Sequence, residues 1–157
     1  MKKETPIIFS APMVRASLQN RKTQTRQIVK PEPPIEGRRS DWSPERVAHW
    51  IPKCRYQIGD LVYVKETFFN HNDPGEQDSE LIEYRATPWS RDGGDLGGKW
   101  TSPIFMPRWA SRINRTIADI RVERLQDISE EDAKAEGVKG KLEYSLLWEK
   151  LNGSMSW

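Results

Sequence analysis

Lys22 and Thr25 stand three positions apart in a stretch, Asn20–Lys30, that also carries Arg21 and Arg26 and contains no acid. A threonine hydroxyl is a weak nucleophile near neutral pH and needs a base close by. A lysine serves as that base when burial or neighbouring cations lower its pKa, and Arg21 and Arg26 flank Lys22. A carboxylate such as Glu136 would supply the third function, protonating a leaving amine or orienting water. Spacing sets a condition on this chemistry. In a regular strand Lys22 and Thr25 point to opposite faces, so they converge only if the chain bends near Thr23. On residue type alone, Lys22 reads as a phosphate-binding or solvated surface lysine, with catalysis the alternative.

Other chemistries find less support. The two histidines, His49 and His71, lie far from each other and from Cys54 in sequence, without metal-ligand spacing, so no metal site and no cofactor is expected. The glycine-rich RDGGDLGGK lacks a lysine–serine pair after a strand, and its two aspartates would repel phosphate. A serine hydrolase would need a G-x-S-x-G elbow, which is missing.

Net charge is only +2, but it is unevenly spread. From Thr5 to Pro31 there are five basic residues and no acid, and Arg108, Arg112 and Arg115 form a second acid-free run. Between Glu123 and Glu149 eight acids face four bases. One reading is a solvated surface; the other is a basic face for phosphate with an acidic element kept away from it. Trp109, between Arg108 and Arg112, either stacks a base beside phosphate-binding arginines or anchors the basic segment in the core.

These groups must be held by the elements around them. Ile7–Phe9 suits a buried strand, followed by a short helix with Ser10 as N-cap, Pro12 in its first turn and Met13, Val14 and Leu18 as its apolar stripe. The alternation and threonine content of KTQTRQIV predict a strand. Lys30–Pro52 reads as a long surface excursion pinned by Trp42 and Trp50. Gly59-Asp60 turns into LVYVKETFF, the clearest strand, and Leu81–Ala86 is another. TIADIRVER (Thr116–Arg124) also reads as strand, with Ile117, Ile120 and Val122 facing the core. Ser129 and Asp132 resemble a capping box for a helix that ends at Gly137, and a last helix, Tyr144–Leu151, places Leu147, Trp148 and Leu151 at core spacing. Short strands interleaved with short helices argue for a small α+β domain on a curved sheet or barrel.

A chain of 157 residues is one ordinary domain, able to bury about two thirds of its unfolded surface. No apolar run approaches the roughly 20 residues of a membrane span, and the apolar stretch after Lys2-Lys3 stops too early for a signal peptide. One cysteine permits no internal disulfide, which suits a cytoplasmic location.

Three blocks in this order resemble the ASCH domains, a branch of the PUA-like superfamily: the lysine–threonine block, Gly59-Asp60 before the LVYV strand, and LQDISEEDAKAEGV. Small ASCH proteins that act as N(4)-acetylcytidine amidohydrolases share R-K-T-x-T-x-R, matched here by Arg21, Lys22, Thr23 and Thr25, with Gln27 where the motif has its last arginine and Arg26 just before it. The resemblance implies Lys22 as proton acceptor, Thr25 as nucleophile and Glu136, closing L-x-x-[LI]-[ST]-E-x-x-A-x-x-E, as proton donor. It implies a single ASCH domain over 1–157, a PUA-like β-barrel with short flanking helices and a surface insertion at about 31–53. Arg21, Arg26, Arg108, Trp109 and Arg112 are the expected contacts to RNA or a nucleoside. FSAPMVRA, MPRWASR and ERLQDISEEDA bring the chain closer still to larger ASCH-like proteins of bacteriophages and prophages, so the alternative is a non-catalytic phage-encoded module binding nucleic acid or a host protein. Such domains end in an aromatic-rich strand that has no counterpart before Trp157. The open sheet edge this leaves predicts a homo-oligomer or a partner strand.

Overall fold

The computed structural model describes residues 3–29, 48–88 and 99–154. The expected excursion therefore lies outside the described residues as far as residue 47, as do all but Lys99 of the glycine-rich loop and the last three residues. The fold is mixed α+β, with two small sheets and short helices among the described residues. None of these helices is long and apolar enough to cross a membrane. The chain divides into two compact units, Met1–Asn20 with Asp60–Thr116, and Arg21–Gly59 with Ile117–Trp157.

The first unit is built on β1 (Glu4–Ile8), which runs parallel to β2 (Leu61–Lys65), itself antiparallel to β5 (Asn114–Thr116). Alternation places Thr5 and Ile7 of β1 against Val62 and Val64 of β2, all four buried. Helix α1 (Ala11–Leu18) starts after Ser10, whose extended backbone makes it the N-cap although its side chain makes no capping bond. Its inner face is Val14, Ala16 and Ser17, while Leu18 is exposed, correcting the expected stripe. Asn20 then takes a left-handed φ of 56°, a conformation asparagine tolerates better than most residues, and the chain leaves the unit there.

LVYVKETFF is not one strand. β2 stops at Lys65 and β3 (Phe68–Asn70) pairs instead with β4 (Ile82–Tyr84) in a second, antiparallel sheet. The break falls at Glu66, whose buried carboxylate turns to Arg112 and whose N–H meets Met106 Sδ instead of a ladder carbonyl. Phe68, Ile82, Met106 and Ala110 form the core beneath β3 and β4, with Tyr84 and Trp109 packed against it.

In the second unit, α2 (Glu130–Ala135) follows the expected signals closely. Ser129 Oγ accepts the Asp132 N–H at 3.0 Å, three acids occupy the first turn, and Gly137 adopts a left-handed φ of 94° just past the end. Helix α3 (Lys141–Asn152) begins three residues earlier than expected. Its inner face is the i, i+4 pair Tyr144 and Trp148, packed on Ile128 and Ala133; Leu147 is half-buried and Leu151 is exposed, not core. TIADIRVER forms no strand beyond Thr116: of its core candidates Val122 is buried, and Ile117 and Ile120 are half-buried.

Candidate active site

KTQTRQIV is also not a strand, and the reason builds the site. A helix of six residues leaves its last carbonyls without intrahelical partners. The segment after Arg21 meets those carbonyls instead of a neighbouring strand: Thr23 N–H and Gln24 N–H both donate to the Ala135 carbonyl, at 2.7 and 2.9 Å. Lys22 and Glu136 form an isolated antiparallel bridge. Arg21, exposed, reaches the Gly137 carbonyl at 3.4 Å. A lysine and an arginine so placed also suit the negative end of the helix.

Lys22 points inward. Its Nζ donates to Glu136 Oε2 at 2.7 Å, to the Glu136 carbonyl at 3.0 Å and to the Gln24 carbonyl at 2.8 Å, with the Lys22 and Glu136 side chains 1% and 4% exposed. These acceptors suit the hydrogens of an ammonium. Burial pulls the Lys22 pKa below its ordinary value; the Glu136 charge and hydrogen bond oppose this, and the nearby Arg26 cation adds to it. The Thr25 hydroxyl, exposed, donates to the same Gln24 carbonyl at 2.9 Å. Lys22 and Thr25 thus share an acceptor, the Gln24 carbonyl.

Arg26 closes the other side of Glu136. Its NH2 donates to Glu123 Oε1 at 2.8 Å and to Asp132 Oδ2 at 3.4 Å, its NH1 lies 3.7 Å from Glu136 Oε1, and its guanidinium carbon sits 6.0 Å from the Tyr144 ring centre. Three buried polar atoms here make no hydrogen bond: Arg26 Nε, Arg26 NH1 and Glu136 Oε1. Such atoms are costly to leave unmatched, and they pair a carboxylate acceptor with guanidinium donors.

A ring of residues overlooked in the sequence supports these groups. Asp132 reads there as a capping-box acid, yet its carboxylate takes Gln24 Nε2 and Arg121 NH2, both at 2.8 Å. These bonds, Arg121 first, hold its pKa well below the usual carboxylate range. The signal available was spacing: Asp132 lies four positions before Glu136, on the same helix face. Tyr144, at the start of the expected last helix, is a second wall; burial, followed by the Glu136 charge, pushes its phenol well above the ordinary tyrosine value.

Arg108, Trp109 and Arg112 belong to the first unit. Arg108 pairs with Glu4 at 3.0 Å and lies over the Tyr63 ring. Arg112 grips buried Glu66 with two bonds, 2.9 and 3.0 Å, donates to Thr87 Oγ1, and lies 3.9 Å from the Tyr84 ring centre. Trp109 packs against the core below, as the anchoring alternative has it. Arg26, Arg108 and Arg112 thus each face a carboxylate within the protein, which leaves them less charge to offer a phosphate. Among the described residues no cluster of His, Cys, Asp and Glu could hold a metal ion. Compared with protein families, curated proteins and solved structures, the chain matches none.

Proposed function

We propose that the chain is an ASCH-like domain of PUA-like barrel type that hydrolyses the amide of an N(4)-acetylcytidine-like nucleoside, with Lys22, Thr25 and Glu136 as base, nucleophile and acid. The observation that carries the reading is the buried Lys22–Glu136 pair, with a threonine hydroxyl one shared carbonyl away. Replacing a buried ion pair by apolar residues often costs nothing in stability, so such a pair is weak evidence for a purely structural role.

The chemistry balances within the site. Over the 2.7 Å contact Lys22 passes a proton to Glu136, giving a neutral amine and a carboxylic acid. The amine takes the Thr25 proton as Oγ1 attacks the acyl carbon, and Glu136 protonates the departing nitrogen as the C–N bond breaks. Water then attacks the Thr25 ester. Its proton is taken by Glu136, Thr25 recovers one from Lys22, and acetic acid leaves and ionises to acetate in solution, with Glu136 returning its proton to Lys22.

Incubation with N(4)-acetylcytidine, followed by NMR for acetate and cytidine, tests the proposal. Turnover supports it. No turnover together with salt-dependent RNA binding would favour the non-catalytic module. Neither would turn attention to a protein partner.

A further inference from the structure

Gln24 occupies the variable position of the lysine–threonine motif, so the resemblance assigns it nothing, yet it is anchored through its main chain and at both ends of its side chain. Its N–H donates to the Ala135 carbonyl at 2.9 Å. Its side chain is held at both ends: Nε2 donates to Asp132 Oδ1 at 2.8 Å, and Oε1 accepts Arg121 NH2 at 3.3 Å. Arg121 NH2 also donates to Asp132 Oδ1 at 2.8 Å, which closes a triangle of three side chains. What this anchoring fixes is the Gln24 carbonyl, the common acceptor for Lys22 Nζ and Thr25 Oγ1.

We propose that Gln24 is a positioning residue whose anchored carbonyl holds the site in a resting arrangement, keeping Lys22 protonated and the Thr25 hydroxyl turned away from it. The inference rests on the reading of Lys22 and Thr25 as base and nucleophile. Glu136 supplies two acceptors to Lys22 Nζ, and the Gln24 carbonyl supplies another. Exchanging that one contact for Thr25 Oγ1 aligns the nucleophile with its base while leaving the Lys22–Glu136 proton path intact. A substrate drives the exchange if its acyl oxygen or sugar hydroxyls compete for the same groups. The side-chain triangle sets where the carbonyl stands before and after.

Two readouts test this, one of them independent of turnover. In the protein with nitrogen-15 lysine, the Lys22 ammonium protons should exchange slowly with water, and Gln24→Ala should speed that exchange severalfold. With N(4)-acetylcytidine, Gln24→Ala should lower kcat by up to about 10²-fold, as expected for a misplaced reacting group, with KM little changed. Gln24→Glu alone should impair kcat by setting a carboxylate against Asp132, and adding Asp132→Asn should restore it by recreating a donor–acceptor pair. Unchanged Lys22 exchange in Gln24→Ala, or an unrestored double variant that is folded, would overturn the proposal. If the unaltered protein turns over no acylcytidine, the amidohydrolase reading fails, and the Lys22 exchange measurement alone still decides whether Gln24 positions the lysine.

Discussion

Lys22 and Glu136, 114 positions apart, meet with Nζ 2.7 Å from Oε2 and both side chains almost wholly buried. The contact joins an irregular segment to the C-terminal end of a six-residue helix, so it depends on α2 stopping where it does. Removing one partner strands the other charge in a buried place. Lys22→Met or Glu136→Gln should each cost about 3–5 kcal/mol by urea unfolding if the charge left behind stays buried. The double variant Lys22→Met with Glu136→Leu should recover most of that loss. Singles that cost less than about 1 kcal/mol would show that the pair is not buried in solution.

Asp132 gives a pH signature. Its folded pKa lies below the unfolded value, so the stability it contributes is fully present above about pH 4 and is lost as pH falls through the folded pKa. Over that range the unfolded chain binds more protons, and stability rises with pH. Asp132→Asn should therefore flatten the acid limb of a stability–pH curve below about pH 4. A limb as steep as that of the unaltered protein would count against the Arg121 and Gln24 contacts.

How much of this could be read from the residues differs by element. Helix α2 was legible because its signals are local: Ser129 at its start, acids in its first turn and a left-handed Gly137 beyond its end. The segment after Arg21 misled because threonine alternation signals a strand only when a second strand is there to pair, and here the partners are the carbonyls of Ala135 and Glu136. Gln24 was invisible, since it acts through its main chain and a side-chain triangle closed by residues about a hundred positions away. Glu66 was hidden inside an alternating pattern whose period says nothing of a buried arginine pairing. Motif order points to Lys22, Thr25 and Glu136; the geometry joins Lys22 to Glu136 directly and Thr25 to Lys22 through the Gln24 carbonyl.

The start of α3 offers a check on packing. A Cβ built on Gly140 would lie 2.6 Å from Glu130 Oε2, the oxygen that accepts the Lys141 N–H at 3.2 Å. Gly140→Ala should displace that carboxylate from the helix start and cost about 0.3–1 kcal/mol. The effect should vanish in a Glu130→Ala background, because nothing remains to displace. An equal cost in both backgrounds, measured by a double-mutant cycle, would contradict the contact.

In the first unit, Arg112 neutralises a carboxylate that is 2% exposed. Glu66→Gln keeps the shape and removes one charge, and should weaken the unit; Arg112→Lys keeps the charge but loses the paired bonds and the plane against Tyr84. Both should lower the midpoint of thermal unfolding, with Arg112→Ala the largest loss. A midpoint unchanged in all three would remove Arg112–Glu66 from the account of why β2 ends at Lys65.

The central claim is that Lys22, Thr25 and Glu136 together cleave an acylated cytidine. The most direct measurement is the rate of cytidine release from N(4)-acetylcytidine by the protein and by Lys22→Ala, Thr25→Ala and Glu136→Gln, each first shown to be folded. The account predicts measurable turnover that falls by about 10²–10⁴-fold in Lys22→Ala and Glu136→Gln and is abolished in Thr25→Ala. A folded protein with no turnover, or a Thr25→Ala variant that works at the unaltered rate, would contradict it.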